Sequence, residues 1–383
     1  MRTIPSVPAP LSGERFRVVY RLAAKDEAEA REKAWDICLE QTVEFPDDLV
    51  PDGNIRDHIL GRLESFEGRD AHHFETVISY AVETSGFELT QLLNVVFGNS
   101  SIKPGIRVER LDLPDFLLRA FNGPRFGRDD LRAWLDASHR PLLCTALKPM
   151  GLPPQELANL AYRFALGGID IVKDDHGLAD QPFAPFKERV ARCAEAVARA
   201  NRETGLKCLY TPNVTGPSSR VIENALFAKQ AGAGGLLFSP GLAGLNTMQQ
   251  LADDDRIGLP IMTHPALQGS FVTSSDNGLS HFVIFGQIAR LAGADATIFP
   301  NFGGRFSFSR EECASLAEGT AVPMAHVKPI FPTPGGGMSL ARVPEMRELY
   351  GRDVIFLVGG GLHRHSPDLV ENCRYFRRMA ETM

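Results

Sequence analysis

Beyond Arg140 the chain repeats one rhythm eight times: a short apolar run, then an amphipathic stretch that closes at or near glycine. That rhythm predicts parallel strands joined by helices, because parallel neighbours need a crossover long enough to hold a helix. The predicted strands are 142–149, 169–173, 208–214, 234–239, 259–264, 294–300, 325–332 and 353–358. Helices are predicted over 154–165, 186–202, 221–231 and 340–350, with Gly167, Gly205, Gly232 and Gly351 as stops. Eight such units in ~240 residues match one closed (β/α)8 TIM barrel, an α/β fold. An open doubly wound sheet would normally carry a GxGxxG turn after its first strand, and none stands there.

The residues before the barrel read differently. Stretches 15–22, 74–81 and 106–113 are strand-like, and 26–40 and 90–96 are helical. These three strands interleaved with two helices predict an α+β, ferredoxin-like domain. Residues 116–140 form a helical connector, so the expected domains are 1–138 and 139–383. A net charge of −6 gives no basic surface for nucleic acid. No apolar run approaches the ~18 residues of a membrane span, and the first residues lack the apolar core of a secretory signal. The six cysteines are scattered singly and read as reduced core residues, so a cytoplasmic protein is expected.

Barrel enzymes keep their working residues at the C-terminal ends of the strands. Here those ends carry Lys148 on strand 1, Lys173-Asp174-Asp175-His176 on strand 2 and Asn213 on strand 3. They carry His264 on strand 5, Arg305 beyond strand 6, Gly335–Gly337 on strand 7 and Gly359–Gly361 on strand 8. Side chains alternate along a strand, so Lys173 and Asp175 share a face and Asp174 points away. Lys173 is either an ammonium in a salt bridge or a neutral amine that adds CO2 and becomes a carbamate. A carbamate would be an anionic oxygen ligand, completing a metal site with Asp175 and His176. Oxygen ligands suit Mg2+, whereas a histidine shifts the preference toward Mn2+, Fe2+ or Zn2+. The two glycine runs are either tight turns or a phosphate site built from backbone N–H groups. Their place at adjacent strand ends favours phosphate. His264 is either a satisfied core histidine or a substrate contact. Lys148 is read as catalytic rather than as half of a salt bridge. Arg305 either meets a phosphate or carboxylate or is solvated.

The run Gly167-Gly168-Ile169-Asp170-Ile171-Val172-Lys173-Asp174-Asp175, followed by Gln181-Pro182-Phe183, resembles the RuBisCO large-chain superfamily. Ala146-Leu147-Lys148-Pro149, Arg192-Cys193-Ala194-Glu195-Ala196, Gly98-Asn99 and both glycine runs extend the resemblance over nearly the whole chain. The resemblance implies a head-to-tail homodimer, or an oligomer of such dimers. In it, each barrel meets its partner's N-terminal domain, which contributes Glu40 and Asn99. It also implies that Lys173 is carbamylated and that Asp175 binds Mg2+. His176 stands where the family usually has a glutamate ligand.

The departures from the family pattern bear on function. Met150 replaces the second lysine after strand 1, and no lysine lies between Asn301 and Phe308. Pro265 replaces the arginine that grips the distal phosphate, and Pro334 replaces the serine before the strand 7 glycines. The resemblance is therefore to a RuBisCO-like protein (form IV) that does not fix CO2. It implies enediolate chemistry on a phosphorylated small molecule, a keto-sugar with one phosphate. The first expectation is isomerisation of 5-methylthioribulose 1-phosphate in methylthioadenosine salvage. The alternatives are decarboxylation, transcarboxylation or hydrolysis of 3-oxo-isoapionate 4-phosphate in apiose catabolism, and a non-catalytic binding protein. Arg305 would serve a carboxylate-bearing substrate; Met150 and Phe302 would wall an apolar methylthio group.

Overall fold

The computed structural model describes residues 11–306 and 308–382, in two compact units. One unit runs to Phe121 and takes in Gln268–Gln287 and Met324–Val327. The other comprises Asn122–Leu267, Ile288–Pro323 and the chain from Lys328 onward.

The first unit is built on a five-stranded sheet. Its strands are β1 (Arg15–Ala23), β2 (Arg62–Gly68), β3 (His73–Ala81), β4 (Ile106–Asp112) and a two-residue strand from far along the chain, β10 (Gly278–Leu279). Their order is β10-β4-β1-β3-β2, antiparallel throughout except for β10 on β4. Phe16, Val18, Tyr20 and Leu22 alternate into the core of the unit, which is why β1 is legible as a strand. The Tyr20 hydroxyl donates to the Val96 carbonyl at 2.6 Å and so ties helix Leu89–Phe97 to the sheet. A second helix, Glu27–Glu40, is capped by Asp26, whose side chain accepts from the Glu29 amide. β2 was not expected, because this edge strand buries none of its side chains and shows no alternation.

The second unit is the barrel. Its strands are β5 (Leu142–Leu147), β6 (Ile171–Asp174), β7 (Leu209–Thr211), β8 (Leu236–Phe238), β9 (Ile261–Thr263), β11 (Ala296–Pro300), β12 (Phe331–Gly335) and β13 (Ile355–Leu357). They form two parallel runs, β13-β5-β6-β7 and β8-β9-β11-β12. A parallel bridge between Asn213 and Leu237 joins β7 to β8. At the other seam, Gly335 packs on Leu357 so closely that a Cβ would stand 2.9 Å from its side chain. The inward faces share one core that includes Leu142, Cys144, Ile171, Met262, Ile298 and Phe331. Leu131 and Leu135 of helix Gly127–Leu135 belong to the same core. All six cysteines are buried and free. Among the described residues no helix is long and apolar enough to cross a membrane.

One strand is displaced from its expected place. Residues 325–332 were predicted to form strand 7, but β12 starts at Phe331. Ala325 has a φ of +46°, a left-handed conformation that no strand residue adopts. The apolar pattern there comes from a segment, Met324–Val327, that packs with the other unit.

Candidate active site

The parallel register carries the ends of β5, β6 and β9 to one end of the barrel. Lys173 lies inside β6, paired with Ala146 on one side and Thr211 on the other. Its side chain is 3% exposed, and its Nζ donates to the Asp174 carbonyl at 2.9 Å. Burial pushes the amine below the usual lysine range, with the nearby Lys148 adding to the effect. Asp174 turns the other way, as the alternation predicts. It is fully buried and accepts from Arg189 Nε at 3.1 Å and Tyr210 Oη at 2.8 Å.

Asp175 returns to the Lys173 side. Its Oδ1 accepts from the Gly177 amide at 3.0 Å, and its Oδ2 meets Lys148 Nζ. Burial works to raise this carboxyl, but Lys148, the Gly177 amide and the charge on Lys173 outweigh it and hold the group below the usual carboxylate range. Lys148 is 44% exposed along its side chain, so it can reach both Asp175 and a bound molecule. Met150 is half exposed beside it, and its methyl group lies over Gly177.

His176 and His264 stack flat, with ring centroids 4.0 Å apart and planes at 7°. Burial lowers both imidazoles, His264 to about 2, with the positive charge of Lys173 contributing. The Ala266 amide donates to His264 Nδ1 at 3.2 Å. A neutral His264 therefore carries its proton on Nε2, where it is a donor. His176 Nδ1 stands 3.5 Å from Asp175 Oδ1.

The glycine runs meet at the ends of β12 and β13. Gly336 and Gly337 hold φ of +84° and +97°, open only to glycine at low cost. Gly361 lies on the chain after β12: a Cβ there would stand 2.4 Å from the Met338 carbonyl oxygen. Gly359 and Gly360 precede it at the start of the short helix Gly360–His363. The Arg305 amide donates to the Gly336 carbonyl at 2.9 Å, and its side chain lies against Gly337 with the guanidinium over Phe306. Phe302 is buried between the guanidinium groups of Arg310 and Arg342, each 5.4 Å from its ring, so it offers no apolar wall. Glu40 and Asn99 belong to the first unit and bond to each other at 3.0 Å, with Lys103 Nζ on Glu40 at 3.1 Å.

Asp175 and His176 offer two metal donors, an ionised carboxylate and a neutral imidazole. Among the described residues no group of three His, Cys, Asp or Glu side chains could hold a metal ion, and Lys173 stands beside these two donors as a candidate third. Its buried amine, lowered below the usual lysine range, has the chemistry a carbamate requires, and as a carbamate it would complete a donor set for a divalent ion. Sequence reasoning placed Asn213 at a strand end but gave it no partner in this loop, and it missed Arg189. The signal for Arg189 was an aspartate, Asp174, on the face turned away from the site.

The ribulose bisphosphate carboxylase large chain catalytic domain matches residues 128–383. The 5-methylthioribulose-1-phosphate isomerase of Rhodospirillum rubrum is 40% identical over 365 residues, 95% of each chain. A 2,3-diketo-5-methylthiopentyl-1-phosphate enolase from Geobacillus kaustophilus is 33% identical, covering 92% of this chain and 89% of its own. The crystal structure of a RuBisCO-like protein from Rhodopseudomonas palustris superposes with a TM-score of 0.86 at 36% identity, over 96% of this chain and 97% of that one. The eight-stranded barrel, its strand-end chemistry and these relatives agree: the chain belongs to the RuBisCO large-chain family, as a form IV RuBisCO-like protein.

Proposed function

We propose that the chain isomerises a singly phosphorylated keto-sugar through an enediolate, with 5-methylthioribulose 1-phosphate as substrate. One observation carries the reading: Lys148, Lys173, Asp175 and His264 meet at one end of the barrel, with Lys173 pushed toward its neutral form and His264 kept neutral. Enolisation requires a base at the carbon beside a carbonyl and a donor at the oxygen that becomes negative. The His264 Nε2 proton serves that oxygen. Lys173 as its carbamate takes the proton and returns it to the neighbouring carbon, or Lys148 does so as a free amine once released from Asp175. A Mg2+ ion held by Asp175, His176 and the Lys173 carbamate (Mn2+ or another divalent ion is open to a site with an imidazole) would stabilise the enediolate oxygens as a Lewis acid.

The glycine runs Gly335–Gly337 and Gly359–Gly361 offer backbone N–H groups to one phosphate, with Arg305 beside them. Glu40 and Asn99, already bonded to each other, act in the partner's site of a homodimer. The relatives that act on methylthio sugar phosphates support this substrate class.

Incubation of the protein with Mg2+, bicarbonate and 5-methylthioribulose 1-phosphate, followed by proton and phosphorus NMR, tests the reading. An isomerised phosphate ester is the expected product. Turnover of 2,3-diketo-5-methylthiopentyl 1-phosphate in its place would make the chain an enolase. Release of CO2 or glycolate from 3-oxo-isoapionate 4-phosphate would sink the isomerase reading. No bound metal and no thermal shift with Mg2+ or Mn2+ would leave a binding protein.

A further inference from the structure

Strand β7 runs out into an asparagine that the chemistry above leaves unused. Asn213 is 1% exposed. Its side-chain amide donates to the His176 carbonyl at 2.9 Å and to the Leu178 carbonyl at 2.8 Å. Its Oδ1 accepts from the Thr215 amide at 3.1 Å, and its backbone N–H donates to Asp174 Oδ2 at 3.0 Å. Asp174 also binds Arg189, whose Nη1 donates to the carbonyls of Ala179 at 2.7 Å and Ala184 at 2.8 Å. Two buried side chains thus grip the loop that follows β6. Asn213 holds its start, Arg189 holds its far end, and Asp174 fixes both.

The two grips differ in what they control. The His176 ring is stacked on His264, and its Nδ1 stands 3.5 Å from Asp175 Oδ1, too long for a firm hydrogen bond. Its place is therefore set mainly by the backbone from which it projects. Asn213 is bonded to that residue's own carbonyl and fixes the peptide plane there. Arg189 meets the chain at Ala179 and beyond.

We infer that Asn213 is the positioning residue of His176, and that Arg189 stabilises the loop without setting the ring. The inference rests on the reading of His176 as a site residue. The test uses full-length protein with 13C-labelled histidine and compares Asn213→Ala with Arg189→Lys. Stacked imidazoles shift each other's Cε1–H signals through their ring currents. Asn213→Ala should return the His176 and His264 signals toward the free-imidazole position and weaken Mn2+ binding in bicarbonate about 10–100-fold. Arg189→Lys should lower the melting temperature and leave both signals in place. Should Asn213→Ala fail to fold, Asn213→Asp keeps the volume and the acceptor for Thr215 while losing both donations to the loop. Histidine signals unmoved in the asparagine variants, or moved as far by Arg189→Lys, would overturn the inference. A lost stack with unchanged Mn2+ affinity would uphold the positioning role and remove His176 from the ligand set.

Discussion

Asp175 and Asp295 are buried carboxylates at opposite ends of one barrel, and their surroundings push them in opposite directions. Asp175, just past β6, has Lys148 on one oxygen and Lys173 nearby, and stays below the usual carboxylate range despite its burial. Asp295, just before β11, has only backbone partners: Phe126 and Gly127 amides at 2.8 and 2.7 Å on one oxygen and the Ile261 amide at 2.9 Å on the other. There burial outweighs the three donors and raises the group to about 6. The C-terminal end of the barrel sets cations beside its carboxylate. The N-terminal end uses a carboxylate as a clip between helix Gly127–Leu135 and two strands, and the charge of Lys328 helps it less than the three amides do.

Replacing Lys173 by Ala should break the active end most severely. Loss of its amine is expected to reduce kcat by ~10^2–10^4 if it moves the proton, with the melting temperature lowered only slightly. Single-turnover kinetics beside a thermal melt would check this. Surviving activity would return Lys173 to an ordinary buried lysine.

The opposite end should respond in stability alone. Asp295 has a folded pKa above its unfolded value of 3.8. Its contribution is therefore fully present below about pH 3.8 and is lost as pH rises through about 6, by up to roughly 3 kcal/mol. Asp295→Asn removes this titration. Urea unfolding of both proteins from pH 4 to pH 8 should show a stability difference that changes with pH up to about 6 and is flat above it. A pH-independent difference would mean that the three amides hold Asp295 ionised throughout. Turnover of Asp295→Asn at pH 7.5 should match the parent.

The glycine loops give a smaller effect of a third kind. A Cβ at Gly361 would collide with the Met338 carbonyl, so Gly361→Ala has to separate the two loops. KM for the phosphorylated substrate should rise about 10–100-fold, and kcat should change less, as expected when ground-state binding is lost. A lowered kcat with unchanged KM would place the phosphate elsewhere.

The sequence made the barrel legible because its strands are apolar runs punctuated by glycine stops; Gly205 and Gly351, for example, do adopt positive φ at helix ends. It misplaced β12, where Met324–Val327 is apolar for the sake of the other unit. It was silent on β2, an exposed edge, and on the two-residue β10. In the site, the Lys173–His176 run could be read from alternation along one strand. The His176–His264 stack could not, because it depends on the geometry of two loops far apart in the chain. Nor could the docking of Phe302 between Arg310 and Arg342, which removes it as an apolar wall.

The central claim is that this end of the barrel enolises a keto-sugar phosphate through Lys173. Incubation with 5-methylthioribulose 1-phosphate in D2O tests it most directly. The account predicts deuterium on the carbon beside the carbonyl with the parent protein and none with Lys173→Ala. Deuterium incorporated equally by both proteins, or by neither, would contradict it.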